Sequence, residues 1–320
     1  MNRYARQQIL PEVGASGQAR LAAAQVLVVG AGGLGSALLP LLAGAGVGHL
    51  TIADPDHIEA SNLHRQTLYR MADLGQPKAE IAAREMQALN PDCRAQALVL
   101  RLDPAHARTL IAAADVVVDA ADSFAITYAL SDLCLCAHKP LISASVLGRA
   151  GYAGGFCAQA PSYRAVFPDL PPALQSCATA GVMGPAVALL GAMQAQMVLA
   201  VLLRHQPSPL GQMLRVDLAD WSQSSFRFDN APEASAQAAS PAVIALGEVL
   251  PTDLVIELRP ESEVAQPAHP QALRLPPETL HPPAGQRVVF ACTTGLRAWR
   301  AARALSARCD NPVAILATGP

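Results

Sequence analysis

Four apolar residues, Val26, Leu27, Val28 and Val29, run directly into the glycine-rich turn Gly30-Ala31-Gly32-Gly33-Leu34-Gly35 and on into an apolar stretch ending at Ala43. A strand apolar on both faces belongs inside a parallel sheet covered by helices, and glycines between strand and helix mark one βα unit of such a sheet. The pattern recurs. Residues 49–53 read as a second strand and 78–89 as a helix closed by Asn90-Pro91, while Val116–Val118 read as a strand ending at Asp119 and 141–144 as another. The expected fold is α/β, a Rossmann-like doubly wound, mostly parallel sheet whose ligands bind beyond the carboxyl ends of its strands. Asp54, Asp119 and Asp122 fall at such ends. Pro40, inside the first helix, predicts a kink, because the missing N–H and ring clash cost about 3 kcal/mol in a helix interior.

Between Asp229 and Pro241 the sequence turns to Asn, Ala, Pro, Glu, Ser and Gln without periodicity, which predicts a linker. The organisation expected is a large domain over 1–228, a linker over 229–242 and a small α/β domain over 243–320. In that last stretch 254–259 and 287–292 read as strands and 298–305 as a helix.

A formal net charge of -2, without a basic run interleaved with aromatics, argues against nucleic acid as a partner. Seven irregularly spaced cysteines, with no secretory signal before Arg3, predict reduced thiols and a cytoplasmic setting. The stretch 181–203 has no charged side chain and is long enough to be weighed as a membrane span. Gly184, Pro185, Gly191, Gln194 and Gln196 interrupt it, and no aromatic belt or second span accompanies it. No membrane association is expected; a buried helix or one at a subunit interface fits better.

The glycine turn by itself brings phosphates to backbone N–H groups at a helix N-terminus, and Asp54 is placed to accept ribose hydroxyls. On those residues alone an NAD(P)-dependent oxidoreductase is favoured. Asn62, Arg65, Gln66 and Lys78, which follow the second strand, have no task in hydride transfer. They suit a triphosphate: cations neutralise oxygens as pyrophosphate departs, and Asp122 is a ligand for the magnesium that bridges phosphates.

Over its first 225 or so residues the chain resembles the MoeB/ThiF/HesA family, bacterial relatives of ubiquitin-activating enzymes. The motifs that carry the resemblance are Arg3-Tyr4-Ala5-Arg6-Gln7, Gly30 to Gly35, Asp54-Pro55-Asp56, Ser61 to Gln66, Gly75 to Ala79, Asp119 to Asp122, and Cys177 to Pro185 before the apolar helix. The resemblance implies ATP-dependent adenylation of the C-terminal Gly-Gly carboxylate of a ubiquitin-like sulfur-carrier protein, with Mg2+, in preparation for sulfur transfer. It assigns Gly32, Gly33 and Gly35 to backbone approach, Asp54 to ribose, Asn62, Arg65, Gln66 and Lys78 to the nucleotide, and Asp122 to magnesium. Arg6 corresponds to an arginine that reaches the neighbouring subunit's triphosphate, which implies a homodimer. Cys177 occupies the place of a crossover-loop cysteine that takes part in sulfur transfer in some members. Molybdopterin, thiamin and other thio-metabolite pathways all use such enzymes, and the choice of carrier stays open.

Three departures qualify the resemblance. Ser123 and Thr127 stand where the family has an asparagine and an arginine, which predicts weakened, altered or absent activity, a carrier-binding homologue at the extreme. Ser162 and Ala165 occupy the first of two Cys-x-x-Cys pairs and the second pair is missing, so no structural zinc is expected. The C-terminal segment resembles a rhodanese domain, with Cys292 at the end of a strand and the loop Cys292 to Arg297 suited to a persulfide. Thr293 replaces a common arginine and the sequence stops near the last expected strand, so a truncated domain, or a degenerate one kept for packing, is anticipated.

Overall fold

A computed structural model describes residues 2–170, 181–233 and 241–319. They form two compact units, the first comprising Met1–Leu102, Arg108–Asp122 and Leu130–Glu233, the second Asp103–Ala107, Ser123–Ala129 and Ala234–Pro320.

The first unit holds β1 (Gln25–Val29), β2 (His49–Ala53), β3 (Arg94–Leu98), β4 (Val116–Asp119), β5 (Leu141–Leu147), β6 (Ala150–Phe156), β7 (Gln212–Asp217) and β8 (Ser222–Arg227). They form one sheet in the order β3-β2-β1-β4-β5-β6-β7-β8. The five strands from β3 to β5 are parallel, and β6, β7 and β8 continue the sheet antiparallel. The change of direction is local: Leu147 pairs with Ala150 across Gly148, whose φ of 61° is costless only without a Cβ. The antiparallel half has little signal in the sequence, because β6 is rich in glycine and every residue of β8 is exposed.

Helices α1 (Ala5–Gln8), α2 (Gly14–Ala23), α3 (Gly33–Ala45), α4 (Lys78–Leu89), α5 (Pro104–Ala113), α6 (Phe124–Cys136), α7 (Tyr163–Val166) and α8 (Gly184–Leu203) follow in chain order. Val26, Val28, Leu38, Leu39, Leu42, Ile52, Val118 and Ile142 are buried in the main core, where the apolar strands meet α3. Helix α3 continues past Pro40 to Gly46, a left-handed C-cap. The long apolar helix α8 packs against it so closely that a Cβ on Gly191 would lie 2.8 Å from the Leu34 carbonyl oxygen and from the Ala37 Cβ. Ala186, Val187, Leu190, Gln194, Ala195, Met197 and Val198 of α8 are buried.

In the second unit, β9 (Ala242–Val243), β10 (Leu254–Glu257), β11 (Val288–Cys292) and β12 (Val313–Ala317) form a parallel sheet in the order β10-β11-β12-β9, with α9 (Leu296–Ser306) following β11. Val255, Val289, Ala291 and Leu316 make an apolar centre. Trp299 of α9 is buried, its ring 4.6 Å from Tyr128 and 6.0 Å from Phe124 between centroids, both residues of this unit. Of the expected linker, 234–240 lie outside the described residues, while Glu233 accepts 2.6 Å bonds from the Ser162 N–H and hydroxyl.

The end of β10 carries a buried ion pair. Glu257 accepts 2.9 and 2.8 Å bonds from the Arg259 guanidinium and a third, of 2.9 Å, from the Ala268 N–H. Burial opposes ionisation of Glu257, yet these donors outweigh it and hold the carboxyl below its ordinary value. A depressed folded pKa means that the stabilisation is fully present above the unfolded value of about 4.3 and is lost as pH falls through the folded value. Glu257→Gln, leaving a buried guanidinium short of its charge partner, is expected to destabilise the second unit by about 3 kcal/mol at pH 7. The difference from wild type should shrink on acidification. Amide exchange at Val255 and Phe290 as a function of pH measures both effects, and equal protection at pH 7 would dismiss the pair as a stabilising element.

Candidate functional site

The strand register brings the glycine turn, Asp54 and the Asp119–Asp122 segment to one edge of the sheet. Val29 lies opposite Ala53 on one side and Asp119 on the other, so the residues that follow leave their strands side by side. The turn then closes on backbone. At Gly30, with φ of 100°, a Cβ would lie 2.5 Å from the Ala120 carbonyl oxygen, and at Gly35 it would lie 2.1 Å from the Gly30 carbonyl oxygen. A Cβ on Gly32 would meet only the Gln66 Nε2 within 4 Å, at 3.7 Å, so backbone approach there is open.

Asp54 holds this turn. Its Oδ2 accepts a 2.7 Å bond from the Ala31 N–H and its Oδ1 a 2.8 Å bond from the Asp56 N–H, leaving each oxygen one lone pair for a ligand hydroxyl. Burial pushes the Asp54 carboxyl up, more than the two N–H bonds and Lys78 hold it down. Tyr69, which the sequence reading missed, donates 2.6 Å to the Ala31 carbonyl and 3.4 Å to that of Lys78. Burial, reinforced by Asp54 and Asp73, raises its phenol and keeps it a donor. A lone tyrosine amid the polar residues between Arg65 and Lys78 was the only signal for it.

Lys78 opens α4 and is only 5% exposed, with its Nζ 2.9 Å from Asp56 Oδ2. Gln66 is buried with its Oε1 unpartnered, an amide beside Gly32 with hydrogen-bonding capacity to spare. Arg65 is half-buried and donates 3.1 Å to the Ser61 carbonyl. Its segment is set by the start of α8, since a Cβ on Gly184 would lie 2.5 Å from the His64 carbonyl oxygen. Asn62 donates 3.3 Å to Ser61 Oγ on the same surface.

Asp122 is exposed just beyond the Asp119–Ala121 turn. Arg6 is exposed on α1, whose neighbours are tied down: the fully buried Asn90 side chain donates 2.8 Å to the Tyr4 hydroxyl, and Gln7 donates 2.7 Å to the Ala45 carbonyl. Thr127 is buried within α6, its hydroxyl donating 3.3 Å to the Ser123 carbonyl. Ser162 caps α7 by accepting a 3.1 Å bond from the Ala165 N–H, and among the described residues no three His, Cys, Asp or Glu side chains gather as a metal-ligand group. Cys177 lies outside the described residues. In the second unit Cys292 ends β11, 1% exposed, its Sγ accepting a 3.4 Å bond from the Ala298 N–H. Arg297, in the first turn of α9, is clamped by Glu263 at 2.5 Å.

Residues 4–238 match the model of the ThiF family. The chain belongs to that family. The sulfur carrier protein adenylyltransferase of Thermus thermophilus is 42% identical over 71% of this chain and 86% of its own length. The SAMP-activating enzyme E1 of Haloferax volcanii is 37% identical over 73% and 87%. The adenylyltransferase and sulfurtransferase MOCS3 of Bos taurus is 45% identical over 68% of this chain, which spans about half of that protein, 48%. Among solved structures, Escherichia coli MccB with ATP superimposes with a TM-score of 0.62 at 22% identity, covering 73% of this chain and 72% of MccB. At that identity the likeness is one of fold.

Gly33, like Gly30 and Gly35 and unlike the open Gly32, answers to a close contact. At Gly33 a Cβ would lie 2.7 Å from Val187 Cγ1, with the rest of Val187 at 3.8 Å. Gly33→Ala is therefore expected to destabilise the first unit by about 1–3 kcal/mol through overpacking. Adding Val187→Ala removes the obstructing methyl, so the double variant should recover part of that loss relative to Val187→Ala alone. A thermal-unfolding double-mutant cycle measures the coupling, and strict additivity would refute close packing of α3 on α8.

Proposed function

We propose that this chain adenylates the C-terminal glycine carboxylate of a ubiquitin-like sulfur-carrier protein with ATP. The observation that carries the reading is the buried Lys78: its ammonium is 2.9 Å from Asp56, whose N–H bonds the Asp54 carboxylate that also holds Ala31 of the glycine turn. A buried ammonium beside that turn suits a triphosphate, and a nicotinamide cofactor gives it no task. Gln66, with its unused Oε1 next to Gly32, fits the same ligand.

In the proposed reaction a carboxylate oxygen of the carrier attacks the α-phosphorus. The new acyl–phosphate bond forms as the bond between Pα and the bridging oxygen breaks, and pyrophosphate leaves. Backbone N–H groups around Gly32, Gly33 and Gly35 receive phosphate oxygens, which helix N-termini favour. Lys78 exchanges Asp56, whose side chain is 59% exposed, for the departing pyrophosphate. Arg65 and Asn62 line the same approach, Asp54 receives ribose, and Arg6 serves a second copy of the chain. Asp122, a hard oxygen donor open to solvent, is a fitting ligand for Mg2+ arriving with the phosphates, where one or two carboxylates suffice. Magnesium, when bound, neutralises charge that develops on the phosphate oxygens.

Exposed Leu41 on α3 and Leu189 on α8, at 47% and 40%, suit a homodimer face, as does exposed Arg6. In the second unit, proposed to be rhodanese-like, Cys292 would carry sulfur between the Ala298 N–H and Arg297. Thr127 favours a second reading, a carrier-binding protein with little turnover, because its position supplies no charge to a triphosphate.

ATP–pyrophosphate exchange stimulated by a carrier ending in Gly-Gly tests the proposal. Asp122→Ala and Lys78→Ala are each expected to lower exchange by about 100-fold or more, the scale for a lost charge-stabilising group. Cys292→Ala should leave exchange intact and abolish sulfur transfer from thiosulfate. Carrier binding without any exchange supports the second reading, whereas reduction of NAD(P) without exchange overturns both.

A further inference from the structure

Gln194 sits in the middle of α8, a largely apolar helix, with no exposed surface, whereas the other glutamine of the helix, Gln196, is exposed. Its Nε2 donates 2.7 Å to the Asp119 carbonyl, at the carboxyl end of β4, and lies 3.5 Å from that of Ile142, near the start of β5. Its Oε1 is buried without a partner. A leucine of similar volume would suit the packing and leave no amide oxygen stranded, so side-chain burial does not account for a glutamine here.

What the amide does is hold one peptide. The Asp119 carbonyl is fixed by Gln194, the Asp119 carboxylate accepts 2.8 Å from Ser143 Oγ and 3.3 Å from the Ala121 N–H, and the Ala120 N–H donates 2.8 Å to the Val29 carbonyl. The Ala120 carbonyl in turn abuts Gly30. Asp119, Ala120 and Ala121 are thus pinned from α8, β5 and β1, and the next residue is Asp122. An exposed carboxylate on a free turn samples many positions; one that follows three pinned residues leaves from a fixed Cα.

We infer that Gln194 is a positioning residue, which through the Asp119 carbonyl sets the turn from which Asp122 meets the magnesium of MgATP. The inference rests on the assignment of Asp122 above. It predicts a defect confined to the metal-dependent part of nucleotide binding, because Gln194 touches neither the glycine turn nor Lys78 in any hydrogen bond.

Calorimetry of the whole 320-residue chain with a non-hydrolysable ATP analogue, in EDTA and across a Mg2+ titration, makes the test. Gln194→Leu should bind the analogue in EDTA within twofold of wild type, keep its melting temperature within about 4 °C, and need about tenfold more Mg2+ for half-saturation, as when the support of a metal ligand is removed. Ser143→Ala, which releases Asp119 from the opposite side, should show the same metal-specific shift and serves if Gln194→Leu does not fold. Asp122→Asn, run in parallel, separates the two claims. If Asp122→Asn keeps the wild-type response to Mg2+, the assignment of Asp122 is wrong. If Asp122→Asn loses that response while Gln194→Leu and Ser143→Ala retain it, the positioning role is wrong. A loss of analogue binding in EDTA as large as that in Mg2+ would also overturn it, since that is the mark of general structural damage.

Discussion

Backbone meeting backbone at Gly30 is the constraint on which the rest of the first unit depends. With no side chain there, the end of β1 lies directly against the Ala120 carbonyl, and Gly35 closes the turn onto Gly30 itself. That contact places the segments after β1 and β4 in one plane of approach, and parallel register adds Asp54 from β2. A methyl group at either glycine would meet backbone and force the turn away from the segments around it.

The polar groups of the site are consequently held before any ligand arrives. Asp54 spends one bond on each oxygen to fix Ala31 and Asp56, Tyr69 fixes Ala31 from the other side, and Lys78 is buried against Asp56. Burying Asp54, Gln66 and Lys78 is unfavourable for folding alone unless each finds a partner, and only Gln66 keeps an unpartnered oxygen. Helix α8 belongs to the same design. Its glycines let it touch α3 and the His64 segment, and its single buried amide reaches Asp119.

The second unit treats charge differently. Glu257 with Arg259 and Asp253 with Arg287 are ion pairs that lock loops around a small parallel sheet. Glu263 holds Thr293 in the loop that follows Cys292 and Arg297 in the first turn of α9, so the segment after the sulfur is braced by carboxylate contacts.

Much of this was legible in the chain itself. The uniformly apolar run before Gly30, and the glycines that follow it, determined a parallel sheet opening into a tight glycine turn. The succession of Asn62, Arg65, Gln66, Lys78 and Asp122 is what the proposed chemistry was read from, because side-chain charge is a property of sequence. Tertiary structure alone decided which of those groups are buried and what they touch. Tyr69 looks unremarkable until register sets its hydroxyl against Ala31, and Gly191 and Gln194 read as interruptions of an apolar helix until α3 and Asp119 lie beside them. The antiparallel half of the sheet was hidden for a related reason, since glycine-rich β6 and exposed β8 are strands through their neighbours' hydrogen bonds and not through local preference. Hydrophobic period and charge are written residue by residue, whereas a close contact or a long-range hydrogen bond exists only once distant segments have been brought together.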